Sequence, residues 1–172
     1  YWHDPYSNNW VSSTYYLKEL PEWAVRFNNR KVVDSLLANP WTTLLPIAEY
    51  TESSPDDNAY EGLYKGETKP VFPHNLPALK AAESELIRKI PFGNTYTRLF
   101  AEAALEGEQL GKDGNTDFLA VSFSSTDYIG HMYGINAIET EDTYLRLDLE
   151  IAAFLKTLDA RIGNGNYILF LT

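Results

Sequence analysis

Asp117-Phe118-Leu119-Ala120-Val121-Ser122-Phe123 decides the fold of this chain. The run is short, apolar and aromatic, follows the turn signal Asp113-Gly114-Asn115, and gives way to the polar stretch Ser124-Ser125-Thr126-Asp127. Those features predict a buried strand. Downstream, a helical pattern covers about 139–162, with Leu147, Ile151, Phe154, Leu155, Leu158 and Ile162 near one stripe. Gly163-Asn164-Gly165 stops the helix. Asn166-Tyr167-Ile168-Leu169-Phe170-Leu171-Thr172 then reads as a second fully buried strand. Strand, helix and strand at this spacing make a βαβ unit, right-handed with parallel strands, so the expected class is α/β. A buried strand at the last residue is unusual, because termini fray at surfaces. The pattern therefore suggests an internal fragment of a longer chain.

Working back from Asp117, a helix is expected over about 95–110, ended by Gly111. Pro91-Phe92-Gly93-Asn94 reads as a turn before it, with Asn94 or Thr95 as the cap. Residues 79–90 could be helical by composition. Residues 40–78 hold six prolines (40, 46, 55, 70, 73 and 77), which implies a long irregular, insertion-like excursion. A short helix is expected over Val32–Ala38, closed by Asn39-Pro40, and another after Pro21 with Trp23, Ala24 and Phe27 on one face. Residues 9–16 suggest a strand or hairpin arm. The βαβ unit places about 93–172 in an α/β core, all within one domain.

Composition narrows the function. The 172 residues are 44% hydrophobic and 22% charged, a globular balance. Fourteen Lys and Arg against 24 Asp and Glu give a net charge of −10. That argues against duplex nucleic acid and anionic lipid as partners. No apolar run approaches the roughly 20 residues that span a bilayer, and Tyr1-Trp2-His3-Asp4-Pro5 does not read as a signal peptide. With no cysteine there is neither a thiolate metal site nor a Cys nucleophile.

In open α/β sheets ligands bind beyond the carboxyl ends of strands, where Ser124–Gly134 lies. That stretch sets Asp127 and His131 four residues apart in what reads as a Gly-punctuated turn, with Gly130 allowing a tight fold. A carboxylate and an imidazole suit a divalent ion such as zinc. A capping Asp beside a surface His is the alternative. Elsewhere, His3-Asp4 reads as a solvated turn and His74 as a surface residue. Asp56-Asp57-Asn58 with Glu61 hints at calcium but fails the EF-hand spacing. Ser12-Ser13-Thr14 and Ser124-Ser125-Thr126 offer hydroxyls with no His–Asp partner to activate them. Arg146 and Asp148 are expected to pair locally on the long helix.

Three blocks resemble the alkaline phosphatase superfamily, in its branch of secreted bacterial threonine-nucleophile enzymes, itself similar to type I phosphodiesterase/nucleotide pyrophosphatases. They are Ser124-Ser125-Thr126-Asp127-Tyr128-Ile129-Gly130-His131, Glu141-Asp142-Thr143-Tyr144-Leu145-Arg146-Leu147-Asp148, and Gly165-Asn166-Tyr167 leading to Phe170-Leu171-Thr172. Tyr1-Trp2, Ser13-Thr14-Tyr15-Tyr16, Leu44-Leu45-Pro46 and Pro91-Phe92-Gly93-Asn94 support them. Ile135 departs from the family, which often has Pro there.

The resemblance implies a fragment of the superfamily's parallel-sheet core, with 40–78 as a cap-like insertion over the site. It implies a phosphate-ester hydrolase with two zinc ions, one of them held by Asp127 and His131 together with a downstream His. The second zinc's Asp-His pair, the threonine nucleophile and the phosphate-holding side chains would lie outside these residues. The 172 residues alone would then be inactive and prone to self-association. A periplasmic or secreted location is implied too. A phosphodiesterase of the same superfamily and a non-catalytic aromatic-rich binding module remain alternatives.

Overall fold

A computed structural model describes residues 1–172. The chain starts as a tight hairpin, β1 (Trp2–Asp4) against β2 (Asn9–Val11), with Trp2 opposite Val11 and Asp4 opposite Asn9. Asp4 accepts from the Ser7 amide at 3.1 Å, and Asn8 turns the chain at φ +54°. His3-Asp4 thus belongs to a turn: His3 faces Asn8 and accepts from Arg88.

Helix α1 (Glu22–Asn29) begins directly after Pro21, whose fixed φ suits a helix start. It buries Trp23, Ala24 and Phe27, as the apolar spacing predicts. α2 (Val32–Leu36) follows. After a long irregular stretch come α3 (Leu76–Leu79), capped by the Asn75 side chain, and a 3-10 turn over Leu86–Lys89. The helix expected over 79–90 is therefore only these two fragments. α4 (Phe92–Gly107), α5 (Ser125–Tyr133) and α6 (Ile138–Arg161) complete the fold. The turn expected at 91–94 is instead the head of α4, and neither Asn94 nor Thr95 is its cap.

The main core joins Trp23, Phe27, Trp41, Tyr64, Leu76, Ile87, Ile90, Phe100, Ile129 and Tyr133, with other apolar side chains. A smaller cluster links α4 to α6 through Ala101, Leu105, Phe154 and Leu158. Phe154 and Leu158 of the expected α6 stripe are buried in it, with Leu155 and Ile162 packed alongside. Arg146 pairs with Asp142 at 2.6 Å, not with Asp148.

Two expectations need correcting. The mixed α/β class stands, but its expected parallel strands do not form a ladder here. β1–β2 is the only sheet, and 117–123 and 166–172 carry no strand pairing. Val121 and Tyr167 pack on the α4–α6 cluster. Exposure alternates along 117–123, with Phe118 88% exposed and Leu119 37%, and over 167–170, with Ile168 and Phe170 at 82% and 84% and Leu169 at 49%; beyond that Leu171 is bare as well. That is the two-residue period of a strand lying on helices, with its outer face bare. A ladder needs a neighbouring strand, and none lies alongside, so the hydrogen-bonding edges stay open.

The second concerns His74, expected at the surface of the irregular 40–78 stretch. Much of it is core. Trp41, Tyr64, His74 and Leu76 are at most 1% exposed. Trp41 and His74 exchange backbone hydrogen bonds of 2.9 and 3.0 Å, closing the loop into a ring. The prolines that break periodicity do not prevent burial; they only remove regular elements. The segment's outer part, with Tyr60 94% exposed, lies beside α5, where the Gly62 amide donates to the Met132 carbonyl at 2.7 Å.

Candidate metal centre

Ser124–Gly134, read as a turn, is in fact mostly helix α5. Ser125, Ile129 and Tyr133 fall four residues apart and are buried, so they nail one face of α5 to the core. At about 100° per residue the opposite face carries Asp127 and His131. Both point to solvent, with side chains 75% and 81% exposed. Gly130 has no left-handed backbone and open space around it, so its conformational freedom is not what brings the pair together. Helical spacing does that.

His131 Nε2 lies 3.5 Å from Asp127 Oδ1. Zinc bonds of about 2.0–2.1 Å in tetrahedral geometry set neighbouring donor atoms about 3.3 Å apart. The pair therefore fits as two ligands of one zinc ion with almost no rearrangement. No group of three His, Cys, Asp or Glu side chains suited to a metal exists in the chain, so Asp127 and His131 are a pair of candidate donors and not a full set. A cavity of about 220 Å³ lies at the head of α5 among Tyr1, His3, Arg88, Ser124 and Ser125. The metal face is open rather than concave, and the exposed donors are what mark it.

Its flanks are formed by two different parts of the chain. On one side the Asn94 amide of α4 donates to Thr126 Oγ1 at 3.0 Å. On the other is the Asn58–Leu63 stretch, through the Gly62–Met132 contact. The Asp56–Glu61 group is not ligand-like: Asp56 accepts from the Phe72 amide at 3.1 Å, and Asp57 pairs with Lys69.

His74, expected at the surface, is completely buried. Its Nδ1 faces Glu67 Oε1 at 2.9 Å and its Nε2 faces Glu139 Oε1 at 3.1 Å. Burial pulls the imidazole pKa down, but hydrogen bonds and charge from Glu139 and Glu67 outweigh it and raise it to about 9. The ring is thus an imidazolium at neutral pH, donating from both nitrogens. The same Glu139 charge, added to a larger effect of burial, raises Asp56 to about 6 and Glu61 to about 7. Nearby, buried Asp142 accepts from Trp41 Nε1 at 2.7 Å and from the Leu44 amide, the Tyr50 hydroxyl and Arg146 Nε at 2.6 Å each. No sequence motif marks either network. Glu67 and Arg146 are local partners, but Glu139 lies 65 residues from His74 and Trp41 lies 101 residues from Asp142, beyond any local spacing rule.

The family model for type I phosphodiesterase / nucleotide pyrophosphatase matches residues 4–172. A protein named calcium-transporting ATPase from Myroides odoratus is 55% identical over the whole chain, which spans 32% of that relative. Alkaline phosphatase PafA from Elizabethkingia meningoseptica is 50% identical, again over the whole chain and 32% of the relative. The 1.7 Å crystal structure of wild-type PafA superposes with a TM-score of 0.94 at 51% identity, covering 96% of this chain and 32% of that one. The chain thus spans about a third of the length of the relatives it matches.

Proposed function

The chain belongs to the type I phosphodiesterase / nucleotide pyrophosphatase family, and from that premise we propose that the full-length protein is a periplasmic or secreted alkaline phosphatase. It hydrolyses phosphate monoesters, and Asp127 and His131 hold one of its zinc ions. The observation that carries this reading is the 3.5 Å spacing of the two donors on the solvent face of α5. Similarity to PafA supplies the reaction class. Phosphomonoesters are favoured over diesters because that relative is named a phosphatase.

When bound, zinc supplies Lewis-acid charge to an attacking or leaving oxygen on phosphorus. Asp127 contributes a negative oxygen and His131 a neutral imidazole nitrogen. Ile129 and Tyr133 fix the helix beneath them, so the donor atoms keep their spacing. A catalytic zinc usually takes three protein ligands. The third ligand, the second zinc and the threonine nucleophile are assigned to parts of the protein beyond these residues. The outer part of the 40–78 segment, beside α5 through the Gly62–Met132 contact, is the cap-like part of the chain in this reading.

Assays of full-length Asp127→Ala and His131→Ala variants with p-nitrophenyl phosphate and bis-p-nitrophenyl phosphate test the proposal. The monoester rate is expected to exceed the diester rate in the wild type. Each variant is expected to lose monoester activity by a hundredfold or more, on the order of the several kcal/mol a metal ion contributes. Rates close to wild type in both variants would overturn the assignment, and a diester rate above the monoester rate would favour the phosphodiesterase reading.

A further inference from the structure

We propose that Gly93 and Asn94, at the head of α4, are positioning residues for the metal ligand Asp127. The inference rests on the proposed function, since it concerns the same zinc. Helix α5 has nine residues and no side-chain cap at Ser124. Helices that short do not hold their own first turn in water. Asp127 lies in that first turn; Ser125, Ile129 and Tyr133 hold the helix from its buried face, which leaves the side of the turn next to the ligand for another element to steady.

α4 does so. Asn94 is 1% exposed, and its Nδ2 donates to Thr126 Oγ1 at 3.0 Å, one residue before Asp127. The approach is possible only because residue 93 lacks a side chain. A Cβ on Gly93 would collide with Ser125 Oγ and the Ile87 carbonyl. Packing alone does not explain an amide at 94. Its Oδ1 is buried without a partner, which costs free energy that an apolar side chain of the same size would avoid. What the amide provides is one directed bond to the turn that carries the ligand. Groups that orient a metal ligand typically change affinity 10–100-fold when removed.

The test uses the full-length protein and reads zinc affinity by competition with a chromophoric chelator, beside the thermal midpoint of the metal-free protein. Asn94→Leu and Thr126→Val remove the two ends of the bond and keep the number and branching of the side-chain heavy atoms. Each is expected to weaken zinc about tenfold, and the double variant no more than either alone, because both break one interaction. Thr126→Ser keeps the hydroxyl and is expected to keep the affinity. A merely structural role would lower the thermal midpoint and leave zinc affinity unchanged, and that result overturns the inference. So do effects that multiply in the double variant. Thr126 is only partly buried, so Thr126→Val gives the answer even where Asn94→Leu fails to fold. Asp127→Ala is the control. If it loses zinc while Asn94→Leu and Thr126→Val do not, the positioning role alone fails. If all three bind as wild type, the proposed function fails with it.

Discussion

The imidazole of His74 gives both N–H groups to carboxylates, which ties its charge to the stability of the fold. Its pKa is about 9 in the folded chain and about 6.5 when unfolded. The folded state therefore binds the proton more tightly. The resulting stabilisation is complete below pH ~6.5 and is lost as pH rises through about 9. Its size is about 3 kcal/mol, from 1.36 kcal/mol per pKa unit. Asp56 and Glu61 face the same Glu139 and act in the same direction at lower pH. Their raised pKa values, about 6 and about 7, mean that stability falls as each ionises. Urea unfolding between pH 6 and 10 is expected to show a falling midpoint in the wild type. His74→Gln should flatten the part of that slope above pH 6.5, since Gln carries no titrating proton. A wild-type midpoint constant across this range would remove the assigned charge from His74.

Helix α6 holds the irregular 40–78 stretch through several groups, of which Asp142 gathers the most bonds. Asp142 accepts four hydrogen bonds, three of them from Trp41, Leu44 and Tyr50 of that stretch and one from Arg146 on its own helix. Burial and the bond to Asp142 push the Tyr50 hydroxyl up to about 12, so it stays a donor. Asp142→Ala leaves buried donors and the Arg146 charge unpaired. It is expected to cost about 3 kcal/mol or more, read as a lower denaturation midpoint, whereas Asp148→Ala should change little. α6 itself was legible in the sequence, because a 24-residue helix repeats its apolar period many times. α5 was not, because its nine residues offer barely two turns and Gly130 argues for a loop. Residue type, spacing and resemblance singled out Asp127 and His131 as candidates, and the helix does set them 3.5 Å apart. His74 and Asp142 could not be recognised as network centres, since partners such as Glu139 and Trp41 come from distant parts of the chain. The strand-like runs 117–123 and 166–172 were visible as short continuous apolar stretches bounded by turn signals. Pairing is a property of neighbours, and no local pattern reports whether a neighbour is there.

The two bare strand faces set the behaviour of these 172 residues as a molecule. Phe118, Ile168, Phe170 and Leu171 are each 74% to 88% exposed, on segments whose backbone edges are unpaired. Open apolar edges of this kind template pairing with other chains. Expressed by itself, the 172-residue chain is expected to self-associate, and sedimentation velocity should show the association rising with concentration. Phe118→Lys combined with Phe170→Lys places charge on both outer faces and should shift the distribution toward monomer. The same chain presents only two of the proposed zinc ligands, Asp127 and His131, where a catalytic zinc usually takes three. Calorimetric titration with Zn²⁺ is therefore expected to give weak binding, and phosphatase assays no turnover above background. Submicromolar one-to-one binding abolished by His131→Ala would show that two ligands suffice here. The two measurements belong together, because self-association can bring ligands from separate copies into reach and mimic a complete site. The lysine variant separates the cases: zinc affinity that falls when the chain becomes monomeric comes from assembly, and affinity that does not change belongs to α5 alone.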